Sequence, residues 1–79
     1  MSEHRKSFRI KICHESFGEC LGHTRNLSAT GVYVSHPGLS ALPRGAVVYG
    51  QVQDLPSCAP RVRMEVVQVD ADGIGLRYL

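Results

Sequence analysis

The sequence predicts an all-β fold, a small six-stranded antiparallel barrel with little or no helix. Apolar and polar residues alternate at period two along most of the chain, as they do in half-buried strands. Breaks rich in Gly and Pro divide the alternation into six short segments. No window of a dozen residues shows the 3.6-residue period of an amphipathic helix. A chain of 79 residues buries only roughly 60–65% of its unfolded surface, so the core is thin and residues 1–79 make one domain. Closing the sheet removes edges that so small a core cannot otherwise protect.

The elements follow in order. Ile10 and Ile12 alternate with Arg9, Lys11 and Cys13, giving a first strand over 9–16. Gly18 marks a turn, and a second strand runs over 19–27 into Asn26-Leu27-Ser28. A third begins at Gly31, where Val32, Tyr33 and Val34 supply the β-branched and aromatic side chains that suit a strand. Pro37, Gly38, Pro43 and Gly45 make 35–45 a loop, with a helical turn at 39–42. Strands four and five cover 46–53 and 61–69, separated by a loop holding Pro56 and Pro60. Asp70-Ala71-Asp72-Gly73 is a hairpin turn into a sixth strand over 74–79.

Composition excludes several classes of function. With 43% apolar and 20% charged residues, the chain is globular rather than disordered. The charge-free stretch 27–43 is broken by Ser, Thr, His, Gly and Pro and does not span a bilayer. The start, Met-Ser-Glu-His-Arg-Lys, has no apolar run behind its charges, so no secretory signal is expected and the location expected is cytoplasmic. A net charge of +2 is too small for a protein that coats a nucleic acid polymer, which weighs against Tyr33 and Tyr49 forming a nucleic-acid platform with Arg61 and Arg63. Those arginines, with Glu65, read as a solvated face with a cross-strand ion pair.

Three cysteines, Cys13, Cys20 and Cys58, cannot all pair, and they read as reduced thiols behaving as small buried hydrophobes. Cys20-x2-His23 with Cys13-His14 nearby lacks the second pair of a zinc site. On a strand, moreover, Cys13 and His14 point to opposite faces. No metal site and no cofactor are expected. His14, His23 and His36 are expected to face solvent or cap turns. No nucleophile motif and no spaced carboxylate pair occur, so the protein is not expected to be an enzyme.

Two short patterns remain. Arg5-x3-Arg9 lies just before the first strand, and Asn26-x-Ser28-x2-Gly31 lies where the second strand turns into the third. Together, with the ending Gly73-Ile74-Gly75-Leu76-Arg77-Tyr78, they resemble the signature RxxxR and [D/N]xSxxG of PilZ domains, which bind cyclic di-GMP. The resemblance covers 4–79. It implies that Arg5, Arg9, Asn26, Ser28 and Gly31 contact the nucleotide, while His4 stands at a position that influences how many nucleotides bind, and a histidine there leaves that number open. It also implies a bacterial receptor that relays the signal to a separate effector protein. The alternative is an interaction module of the same fold that does not bind the nucleotide.

The residue chemistry agrees with the resemblance. Arg5, Lys6, Arg9 and Lys11 crowd the start of the chain against Glu3 alone, an anion-seeking arm or, equally, a solvated basic terminus. Residues 2–7 hold no apolar side chain, so 1–8 are expected to form a flexible arm, with Phe8 as the apolar anchor that plants it on the barrel. A spacing of four returns Arg5 and Arg9 to one face. A guanidinium forks onto phosphate, pairs with guanine O6 and N7, and stacks on the purine. On a strand, Asn26 and Ser28 project outward together while Leu27 points inward. The Asn oxygen then accepts from a guanine edge, and Gly31 permits close backbone approach. A plain Asx/Ser turn is the competing interpretation. Many family members cover one barrel opening with a helix after the last strand. With the sequence stopping at Leu79, a second copy of the chain, as a homodimer, is one candidate to cover it.

Overall fold

The computed structural model describes residues 7–54 and 58–79. Six strands form, β1 (Arg9–His14), β2 (Gly18–Arg25), β3 (Gly31–Ser35), β4 (Val47–Val52), β5 (Val62–Val69) and β6 (Gly73–Tyr78). They close into an antiparallel ring in the order β1-β2-β3-β6-β5-β4. The all-β barrel expected from the alternation is the fold observed.

The first two strands stop short of their expected ends, for local reasons. Beyond β1, the Phe17 N–H donates to the His14 carbonyl at 3.2 Å and the Ser16 N–H to His14 Nδ1 at 3.1 Å, closing a turn. Gly18 leaves that turn at φ +82, a left-handed value that glycine adopts without strain. β2 ends because Asn26 also turns left-handed, at φ +52. The helical turn appears as a 3-10 helix over Pro37–Ala41. His36 caps it, its Nδ1 accepting the Gly38 N–H at 2.9 Å, which is the turn-capping role expected of the histidines.

Alternation then sorts the side chains. Ile10, Ile12, Val32, Val34, Val48, Met64, Val66, Ile74 and Leu76 point inward and form the core. Leu39 and Leu42, carried by the 3-10 helix and the residue after it, are buried with them and fill one end of the barrel. The other end is an apolar depression of about 390 Å³ lined by Ile10, Leu27, Val32, Val62, Met64 and Tyr78. Thr24 is the buried polar residue among the described ones. Its Oγ1 accepts the Phe8 N–H at 2.9 Å and its own N–H donates to the Phe8 carbonyl at 2.8 Å. Phe8 itself is only half-buried, so its backbone fixes the start of β1 more than its ring does.

Several side chains correct the sequence reading. Leu27 does not point into the core; it is 57% exposed and overhangs the open end, because the strand has already ended. Cys58 is exposed, and Cys13 and Cys20 are half-buried rather than buried, although Cys20 does pack against the core. Glu65 does make a cross-strand ion pair, but with Arg77, its register partner on β6. Arg61 instead lies over the Tyr49 ring, 5.1 Å from its centroid. Among the described residues, no helix is long and apolar enough to cross a membrane.

The 3-10 plug generates a direct expectation. Leu39 is fully buried at the filled end, and Leu39→Ala leaves a cavity that a rigid ring of strands cannot collapse onto. A loss of about 2–5 kcal/mol is expected, read as a lower urea midpoint with the strand content intact.

Candidate functional site

Arg9 opens β1, where alternation turns its side chain away from the buried Ile10 and onto the outer surface. Its position is fixed from β4. The Gln53 N–H donates to the Arg9 carbonyl at 2.9 Å, extending the β1–β4 ladder past Val52. The next residue, Asp54, then meets Arg9 twice. Its Oδ2 accepts the Arg9 backbone N–H at 2.7 Å, and its Oδ1 accepts Nε at 2.8 Å and lies 2.7 Å from Nη2. The same contacts hold the Asp54 carboxyl below its usual range and raise the Arg9 guanidinium, in both cases chiefly through the side-chain hydrogen bond. Arg5 and His4 lie outside the described residues.

The connection from β2 to β3 is a turn, not a strand. Asn26 and Ser28 therefore do not share a strand face. The Ser28 N–H donates to the Gly31 carbonyl at 2.9 Å, and the Ser28 hydroxyl accepts the N–H groups of Thr30 and Gly31 at 3.3 and 3.2 Å. Ser28 thus shapes the turn from within, as the Asx/Ser interpretation had it. Gly31 serves close approach between strands, since a Cβ there would run into the Leu76 carbonyl of β6, and its backbone is not left-handed. Register joins these pieces. Arg9 pairs with His23, two positions before Arg25 on β2, and Gly31 pairs with Arg77 near the end of β6. Arg9 and the Asn26–Gly31 turn accordingly lie at the same, open end of the barrel.

Asn26 lines a groove of about 470 Å³ on the outer surface, together with Arg25, Tyr33, Gln68, Asp70 and Gly75. Tyr33 faces Gly75 across the β3–β6 ladder, so no side chain stands opposite the tyrosine. The ring is tethered at its hydroxyl, which donates to Asp70 Oδ1 at 2.5 Å, and the Arg25 guanidinium lies 5.8 Å from its centroid. Asp70 also accepts the N–H groups of Asp72 and Gly73, at 2.9 and 3.0 Å. Its carboxyl is held below the usual range, first by the Tyr33 hydroxyl, while the Tyr33 phenol is pushed up to about 12 by the same bond. Among the described residues, no group of three or more His, Cys, Asp or Glu side chains is gathered to hold a metal ion.

The sequence reading missed Asp54 and the Arg25–Tyr33 wall. Asp54 reaches Arg9 across 45 positions of chain, a separation that leaves no local signal. Tyr33 is visible in the sequence as an aromatic of the third strand, but its place beside Asn26 depends on where β2 ends.

The PilZ domain family model matches residues 2–79. The chain belongs to the PilZ domain family. No curated protein matches it. PilZ domains are in general non-enzymatic modules that bind cyclic di-GMP and work through effectors. Both the Arg5-x3-Arg9 and the Asn26-x-Ser28-x2-Gly31 patterns fall within the matched span.

The Tyr33–Asp70 bond makes a testable contribution to acid stability. The folded-state pKa of Asp70 is depressed, so the stabilisation is present above the unfolded value of about 4 and is lost as pH falls through the folded one. Tyr33→Phe removes the largest cause of the depression. Urea midpoints measured from about pH 7 down to about pH 2 are expected to fall less steeply below about pH 4 in the variant than in the parent. Equal slopes would mean that the two backbone N–H donors suffice.

Proposed function

We propose that this PilZ domain is a receptor for cyclic di-GMP, without catalysis or cofactor, that relays occupancy to a separate effector protein in the bacterial cytoplasm. The observation that carries the reading is that Arg9 and the Asn26–Gly31 turn lie at one end of the barrel, with Asn26 lining an outer groove. An anion held at Arg9 and a base lying toward Asn26 would use both. Arg9 supplies charge and a planar guanidinium for phosphate or purine. Arg5, four positions earlier, joins it on the ligand.

Asn26 has a different task. Its amide oxygen accepts from the N–H edge of guanine, and its left-handed backbone directs it to the groove rather than along the strand. Ser28 and Gly31 act one step back. Ser28 fixes the turn that displays Asn26, and Gly31 lets β3 approach β6 closely enough to hold that turn in place. Tyr33, tethered through its hydroxyl, gives the groove a flat wall at little entropic cost. The effector is a protein of unspecified identity, and the groove side of the barrel is where it would sense the occupied state.

Calorimetric titration with cyclic di-GMP and cyclic di-AMP tests the reading. The parent is expected to bind the guanine nucleotide. Arg9→Ala, as the loss of one charge-assisted contact, is expected to weaken it about ten- to a hundredfold. Asn26→Ala is expected to reduce the preference for guanine over adenine. A folded parent that binds neither nucleotide would instead favour an interaction module of the same fold.

A further inference from the structure

We infer that Asp54 is a positioning residue for nucleotide binding, holding the Arg9 guanidinium in its binding pose before the ligand arrives. The inference rests on the cyclic di-GMP reading and extends it to a residue outside both sequence motifs.

The geometry is that of a bracket. One carboxylate oxygen takes the backbone N–H of Arg9, while the other takes Nε and Nη2 of the same residue. Both the root and the tip of the side chain are thereby tied to one rigid group. Asp54 is in turn fixed, because its neighbour Gln53 is hydrogen-bonded to the Arg9 carbonyl. The carboxylate engages the side edge of the guanidinium. One Nη1 hydrogen and the second Nη2 hydrogen, which form the end-on fork, meet no acceptor among the described residues. The Arg9 side chain is 55% exposed despite the ion pair. The end-on fork is the edge that pairs bidentately with phosphate or with guanine O6 and N7.

Two opposed effects follow from such a carboxylate. It repels an anionic ligand, and it removes the rotamer freedom that a long side chain otherwise loses on binding. Solvent at this exposed site screens the repulsion. The ordering term does not depend on screening, and the unspent fork means that the nucleotide need not displace Asp54. Positioning therefore outweighs competition, and the two differ in sign.

Titration of cyclic di-GMP into the full chain decides between them. Asp54→Ala is expected to bind about three- to tenfold more weakly, the cost of ordering one long side chain at the moment of binding. Asp54→Asn is expected to fall between Ala and the parent, since its amide oxygen can serve Nε and Nη2 but leaves no acceptor for the Arg9 N–H. In an Arg9→Ala background, removing Asp54 is expected to change affinity no further, whereas a general structural role would weaken binding in both backgrounds. Thermal melts of each variant establish that the folded protein is being titrated. Tighter binding by either Asp54 variant would make the carboxylate a competitor and overturn the inference. Unchanged affinity, or a loss that persists without Arg9, would overturn it equally. A parent that does not bind cyclic di-GMP would overturn the reading beneath it, an outcome distinct from a binding parent whose Asp54 variants match it.

Discussion

The ring closes on β1, which pairs with β2 along one edge and with β4 along the other. Without that double pairing the sheet would be an open ribbon with two bare edges and a core wet on one side. The rest of the structure follows from the closure. Inward side chains can be few because the sheet curves around them, and one short 3-10 helix suffices to fill an end. The start of β1 then becomes a constrained place. Phe8 is bonded to Thr24 on one side, while Gln53 and Asp54 hold Arg9 on the other.

This constraint gives the basic start of the chain its meaning. An arginine on a loose terminus attracts anions without orienting them. At the first residue of a doubly paired strand, its backbone is fixed and its side chain is aimed by the pleat. The antiparallel order also returns the β2–β3 turn to the same end, since β2 runs back along β1. The two ends of the barrel consequently differ. One is filled by Leu39 and Leu42, and the other is open, apolar within, and flanked by Arg9 and the Asn26 turn. Arg9 and the Asn26 turn stand on neighbouring strands that the antiparallel β1–β2 pairing brings to one end.

The six strands were legible because period-two alternation depends on local sequence, and each run is bounded by Gly or Pro. The site was legible only in part. Arg9, Asn26, Ser28 and Gly31 stood out by spacing, yet Asn26 and Ser28 were read as strand neighbours. Thr24, Arg25 and Asn26 are all polar, and nothing in that run marks the left-handed turn at Asn26 that ends the strand. Leu27 misleads for the same reason: an apolar residue read as part of a strand suggests core, whereas it overhangs the opening. Asp54 was invisible because its role arises from β1–β4 pairing, a contact between distant parts of the chain that closure creates. Local chemistry was readable, and long-range pairing was not.

In the proposed receptor, cyclic di-GMP binds at the open end and outer groove, and not across the barrel as a whole. Amide shift mapping during titration with the nucleotide decides whether it does. Perturbations are expected at residues 8–10, 25–33 and 68–75, with the 3-10 helix over Pro37–Ala41 and the β1–β2 turn near Ser16 unmoved. Perturbations centred on Pro37–Ala41, or none at saturating nucleotide, would contradict binding there.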